Sequence, residues 1–345
     1  MRSSASDRAA LRTGKLPPDL LRGLVLGRLG ARRPETLVGA ALGVDAAAVA
    51  FEDGWACVLT SDPITTATAG AGRLAVHVVC NDLATMGAEP VGLLATLLFP
   101  DGIARAAVAQ LASEIDAAAR ELNVEVLGGH TEVAPGLSAP LVVMSGIGRA
   151  RRDRLLTAAG ARPGDALVLT KAAALEGSHI LANDFLAELA GRVPDDLLDE
   201  ARSYAAELSV VPEGRLAAET GATALHDPTE GGVVGALWEL AEASGTGFRV
   251  EVARVPVRPA TRAMCEALGA DPLRLIASGA LLIACADGTA MRQRLMDAGI
   301  AASIIGEVTP AAAGRRLVHA DRSTEEAWAL NRDELYRLLE SRTGR

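Results

Sequence analysis

Residues 56–90 read ACVLTSDPITTATAGAGRLAVHVVCNDLATMGAEP, and the parsing of that stretch decides the fold. Ala56 to Thr60 is a short apolar run leading to Asp62-Pro63. A strand is expected to end there, because proline has no N–H for a ladder bond. Residues 73–86 have helix-forming composition and are apolar on most of their surface, which predicts a buried helix. Asn81 and Asp82 interrupt it. An unpaired buried carboxylate is costly, so Asp82 must be paired, protonated or bound to a cation. Asp62, at the strand end, is placed to meet it, and the pair reads as a holder of a hard cation. The alternatives are an ion pair with Arg73 or exposure on a curved helix.

Working outward, 345 residues suggest two domains. The expected division is a flexible arm at 1–15, one domain at 16–150 and a second at 151–345. The boundary lies in the basic, then turn-like stretch RARRDRLLTAAGARPGD at 149–165. Half the residues are apolar but only 3% are aromatic, so the core is built from Ala, Val and Leu. A net charge of −9 argues against nucleic-acid or membrane-surface partners. No run of about 18 apolar residues predicts a membrane span, and the N-terminus lacks the apolar segment of a secretory signal. The four cysteines show no CxxC spacing and read as buried free thiols in a reducing cytoplasm.

Several smaller signals surround the central stretch. Leu16 to Leu29 reads as a helix entered through two prolines. Asp45 interrupts a Gly/Ala run, where a lone Asp is ordinarily a turn residue. In VEVLGGHTEV a strand is expected to end at Gly128-Gly129, through a sharp turn or a close backbone approach to a ligand. Lys171 follows the strand ALVLT, at the end where α/β proteins gather ligands. It is a candidate to meet phosphate, or a surface lysine. In HDPTEGGV, Asp227, Pro228 and Glu230 match a capping box. That box leaves Gly231 and Gly232 unexplained, since glycine weakens a first turn. Free amides at a helix start favour a bound anion. The tail STEEAWALNRDELYRLLE shows a second capping pattern at Thr324 and reads as a terminal helix. No GxxxxGK[ST] and no GxGxxG after a strand occurs. A polyphosphate would therefore need separated aspartates, Mg²⁺ and glycine turns.

The ordered set GVDAAAV, TSDPIT, VVCNDLATMGAEP, VLGGHTEV and HDPTEGGV resembles the superfamily of aminoimidazole ribonucleotide (AIR) synthetase. That group also holds the hydrogenase-maturation carbamoyl dehydratase, selenophosphate synthetase and thiamine-monophosphate kinase. The match spans roughly residues 35–310, and it is most similar to AIR-synthase-related proteins of the hydrogenase-maturation branch. The resemblance implies an α/β (α+β) two-domain fold. Its N-terminal domain would close a dimeric β-barrel with a twin, its C-terminal domain would be a mixed sheet flanked by helices, and ATP would lie between them. It implies Mg²⁺ on Asp45, Asp62 and Asp82, and nucleotide contacts from Asn81, Gly128, Gly129, Thr131, Gly231 and Gly232. Catalytic roles would fall to Asp82, Asp227, His130 and Lys171. The implied partners are ATP, an unidentified small substrate and a second copy of the chain.

Two departures bear on the subfamily. His130 stands where the family's turn carries an acid, and His130 or Glu132 would have to replace it. The sequence ends SRTGR with no cysteine after Cys285, so loading of a tail thiol is not expected. The expected activity is ATP-dependent phosphorylation or activation of an amide, formyl or carboxyl-type substrate. A thiamine-monophosphate-type kinase and a non-catalytic nucleotide sensor are the alternatives.

Overall fold

The computed structural model describes residues 18–22, 36–39, 41–50, 54–64, 70–329 and 332–343. The expected arm at 1–15 lies outside them, as does most of the helix expected at 16–29. Two mixed sheets carry the fold. The first holds β1 (Thr36–Val38), β2 (Ala47–Ala50), β3 (Trp55–Ile64), β4 (Glu89–Phe99), β5 (Glu125–Val133) and β6 (Leu141–Arg151), in the order β1-β2-β3-β6-β4-β5. Only β4 and β5 run parallel. The second holds β7 (Ala166–Thr170), β8 (Ala222–His226), β9 (Thr246–Glu251), β10 (Leu282–Cys285), β11 (Ala302–Pro310), β12 (Arg315–Val318) and β13 (Thr324–Glu326). Their order is β13-β12-β9-β11-β7-β10-β8. Strands β7 and β10 are near-continuous apolar runs because both lie inside the sheet and are buried.

The helices are α1 (Pro18–Leu21), α2 (Ala71–Thr85), α3 (Arg105–Glu121), α4 (Leu175–Asp184), α5 (Leu186–Leu189), α6 (Asp195–Ser203), α7 (Val211–Thr220), α8 (Gly232–Ser244), α9 (Pro259–Leu268), α10 (Gly288–Asp297) and α11 (Glu334–Thr343). Helix α2 lies across β3, β6 and β4, with α3 packed on it. Gly146 and Gly148 let it approach, since an added Cβ at either would press on Leu83. The opposite face of this sheet is bare. Leu59, Leu94 and Leu127 lie there, each more than a third exposed. Strand β5 is exposed along its whole length. The sheet has two separate edges, β1 and β5, so among the described residues this chain forms no barrel by itself.

Three local expectations are corrected. Strand β3 runs through Asp62 and Pro63 to Ile64, paired with β6. Strand β2 has already ended opposite Leu59, and proline is tolerated where one side of a strand is open. Strand β5 likewise continues through Gly128 and Gly129. At Gly129 (φ +143) the chain passes so close to β4 that a Cβ would sit 1.9 Å from the Ala95 carbonyl oxygen. Gly129 therefore serves strand packing, and the pair does not end the strand. At Thr324 the chain forms β13, and the terminal helix starts ten residues later at Glu334.

One buried residue makes the fold acid-sensitive. His77 on α2 is 1% exposed, and neither ring nitrogen has a hydrogen-bond partner among the described residues. Burial first, then nearby Arg73, lowers its pKa from 6.5 to about 4. The unfolded chain takes up the proton first, so stability is complete above pH 6.5 and falls as pH drops toward 4. The loss approaches roughly 3 kcal/mol. Urea unfolding of wild type and His77→Leu across this window should diverge, with the variant losing less. Parallel curves would show that His77 does not carry the effect.

Candidate functional site

Four aspartates from distant parts of the chain meet at one end of a cleft between the domains. Asp62 lies on β3, Asp82 on α2, Asp45 in the turn before β2 and Asp227 directly after β8. The Thr60 hydroxyl links three of them, Asp82, Asp62 and Asp45. It donates to Asp82 Oδ2 at 2.6 Å and lies 3.4 Å from Asp62 Oδ2 and 3.3 Å from the Asp45 carbonyl. Asp82 is 6% exposed. Burial, then the charges of Asp227, Asp62 and Asp45, drive its pKa well above the usual carboxylate value.

The counter-charge of Asp45 is a residue that sequence reasoning did not assign. His226 closes β8 and is 2% exposed. Its Nδ1 lies 2.7 Å from Asp45 Oδ2 and its Nε2 2.8 Å from Glu239 Oε2. A ring between two carboxylates donates from both nitrogens only as imidazolium. Burial pulls its pKa down, but Asp45 and Glu239 overcome this and hold it well above the ordinary value. Atoms of Asp45, His226 and Asp227 lie within 4.8 Å of one another, yet both His226 nitrogens are already engaged. Carboxylate oxygens of Asp45 and Asp227 lie beside the ring, and Thr60 links Asp45, Asp62 and Asp82 next to them. The imidazolium serves Asp45 and Glu239, so the aspartates at the cleft keep excess negative charge, which suits a hard divalent cation. The signal available was the His-Asp pair at the end of an apolar strand.

Other expected site residues have different work. Asn81 is fully buried and turned away from the cleft. It donates to the Leu208 carbonyl and accepts from the Val210 amide, both at 2.8 Å, tying α2 to the second domain. Lys171 meets no open phosphate site. Its ammonium donates to the carbonyls of Glu207, Ser209 and Gly279 at 2.6–3.0 Å and pairs with Glu213 at 2.6 Å. Asp227 is not a helix cap. Helix α8 begins at Gly232, capped by Gly231 in the left-handed region. The Gly231 amide is already bound by Asp333 Oδ2 at 2.6 Å, and a Cβ on Gly232 would strike the Leu273 and Leu275 carbonyls. That helix start holds an internal carboxylate and close packing, not an open anion site. Gly128, Gly129, His130 and Thr131 lie on edge strand β5, three strands from Asp62. Within one chain they do not reach the cleft. The exposed His130 pairs with Glu132 at 2.7 Å.

Known proteins share this arrangement of domains. Family models described as AIR synthase related protein, N-terminal domain and C-terminal domain, match residues 43–150 and 162–319. The chain belongs to the AIR synthase related family. Its curated relatives include the carbamoyl dehydratase HypE of Cupriavidus necator, 32% identical over 77% of each chain. HypE of Azotobacter vinelandii is 36% identical over 69% of each. A selenide, water dikinase of Bordetella bronchiseptica is 33% identical over 71% of this chain and 70% of its own. Among solved structures, HypE in complex with ATP superposes with a TM-score of 0.68 at 24% identity, over 94% of this chain and 98% of its own. Family relatives are thus named as enzymes, and one was crystallised with ATP. The family fold accounts for the two sheets. Among the described residues no helix is long and apolar enough to cross a membrane.

Proposed function

We propose that this chain is a Mg-ATP-dependent enzyme that phosphorylates or activates an amide, formyl or carboxyl-type small substrate in the cleft. One observation carries the reading: Asp82 is buried at the cleft beside Asp45, Asp62 and Asp227, its carboxylate held by the Thr60 hydroxyl. These carboxylates would hold Mg²⁺, which when bound neutralises and orients phosphate oxygens. The protein's own part is to position. Thr60 fixes the Asp82 carboxylate, His226 fixes Asp45, and buried walls exclude water. Equilibrium titration of purified protein with Mg-ATP tests the reading, with Asp62→Asn beside it. Saturable binding at or below millimolar nucleotide is expected for wild type, weakened at least about tenfold in the variant. Absence of wild-type binding would end it.

The same reading includes a homodimer. The bare face with Leu59, Leu94 and Leu127, continuous with the exposed edge β5, supports pairing with a second copy. Such pairing would bring Gly128, Gly129, His130 and Thr131 toward the partner's cleft, a role they do not have within one chain. Leu127→Glu should convert the dimer to monomer in sedimentation velocity. A wild-type monomer at all concentrations would refute the pairing.

A further inference from the structure

The second sheet carries a basic cavity that the reading above does not use. Strands β9 and β12 run parallel, and their register sets Arg316 beside Arg249. The neighbouring Phe248, Val250 and Leu317 belong to the core on one face of the sheet, so both arginines stand on the other face, exposed. His319 and Arg322, from the turn between β12 and β13, join them around a cavity of about 660 Å³. None of its lining residues is shared with the cavity at Asp62 and Asp82. Four strands separate β12 from β8, the strand that leads to Asp227.

The positive charge there is poorly matched. The carboxylate lining the cavity is that of Glu251, and it is already divided between Arg249 at 3.4 Å and Arg254 at 2.8 Å. Arg316 gives its Nε to the Ala313 carbonyl at 2.7 Å. Among the described residues neither Arg316 nor Arg322 forms an ion pair. Glu307 and Glu326 flank the arginine pair in register but lie outside the cavity. Glu326 is turned to the Arg315 amide at 2.9 Å, and Glu325 lies 3.3 Å from His319. Like charges on neighbouring strands repel, so the arginine pair is better held with an anion between its members.

A buried hydroxyl gives a second, independent sign. Thr309 borders the cavity, and its Oγ1 is buried with no hydrogen-bond partner among the described residues. Gly247 stands opposite in register and has no side chain to offer; a Cβ there would come 2.8 Å from that oxygen. A buried hydroxyl left unpaired is costly, and an anion's oxygen is the acceptor that it lacks. We propose that this cavity is a second ligand site, which binds a small multiply charged oxyanion, a polyphosphate or a polycarboxylate. Arg249, Arg316 and Arg322 hold the charge, because guanidinium forks grip phosphate and carboxylate oxygens in pairs. Thr309 donates to one oxygen of the ligand. Such binding needs no Mg²⁺, whereas the bare aspartates of the cleft repel the same anion. The site is independent of the catalytic reading.

The test is titration calorimetry of the full chain in metal-free buffer, with pyrophosphate and citrate as probes. Saturable binding of at least one, at one per chain and below millimolar concentration, is expected, and the tighter of the two tells phosphate from carboxylate. Arg316→Gln and Arg322→Gln should each weaken it about tenfold, and Thr309→Val, which keeps shape and removes the hydroxyl, about threefold. Asp62→Asn in the cleft and Arg105→Gln, at the exposed start of α3, should leave it unchanged. No saturable binding by wild type, equal weakening in Arg105→Gln, or loss in Asp62→Asn overturns the site. Tighter binding of a poly-aspartate peptide than of either small anion also overturns it, and assigns the face to an acidic protein instead.

Discussion

Asp82→Asn should raise the melting temperature of the ligand-free protein by several degrees while removing most Mg-ATP-dependent turnover. Both effects have one cause. Asp82 is buried on α2 among Asp45, Asp62 and Asp227, and among the described residues no counter-charge acts on it. Asparagine keeps the shape and can still accept the Thr60 hydroxyl, now 2.6 Å from Oδ2. The like-charge repulsion and the desolvation of an ion disappear. The functional loss should be roughly 10²–10³-fold, the usual cost of deleting one aligned electrostatic contact in a reaction centre. Adding Mg²⁺ should reverse the stability order, because a ligand of the native state stabilises only the protein that binds it. Scanning fluorimetry with and without Mg²⁺, beside a phosphate-release assay, reads all three outcomes. A ligand-free variant that melts below wild type would contradict the account of the cluster.

Lys171→Met should have the largest effect of opposite sign, a destabilisation of about 3–5 kcal/mol. The ammonium satisfies three carbonyls and Glu213, whose side chain is 2% exposed. Methionine matches its length but leaves that carboxylate buried and unpaired. The double variant Lys171→Met/Glu213→Leu should recover much of the loss, since the penalty lies in the orphaned charge. Urea midpoints of the single and double variants measure both terms. Equal destabilisation in the two would assign the effect to the three carbonyls.

These two residues also mark how far sequence reading reached. Asp82 stood out because a buried helix has no ordinary place for a carboxylate, a conflict visible in the linear pattern. Lys171 stood out for its place after a strand, which pointed toward phosphate or an ordinary surface position. Its acceptors come from residues 207, 209, 213 and 279, which no local pattern connects. Asn81 misled in the same way, since its partners at 208 and 210 lie more than a hundred residues away.

The glycine motifs show a different limit. Gly129 and Gly232 leave no room for a side chain, and the sequence does not say what excludes it. The excluding atoms are the Ala95 carbonyl at one and the Leu273 and Leu275 carbonyls at the other.

By itself the sequence determined the element types around residues 56–90 and the family, because periodicity and ordered motifs are properties of the chain as a string. It also marked the aspartates that lacked local partners. Tertiary structure alone decided which of them share a cleft, that His226 sits between Asp45 and Glu239, that Asn81 ties the domains, that Lys171 joins segments of the second domain, and that Asp333 holds the helix start. The physical reason is that charge and hydrogen bonding act over a few ångströms in space. Distance along the chain carries no information about them once strands and helices pack.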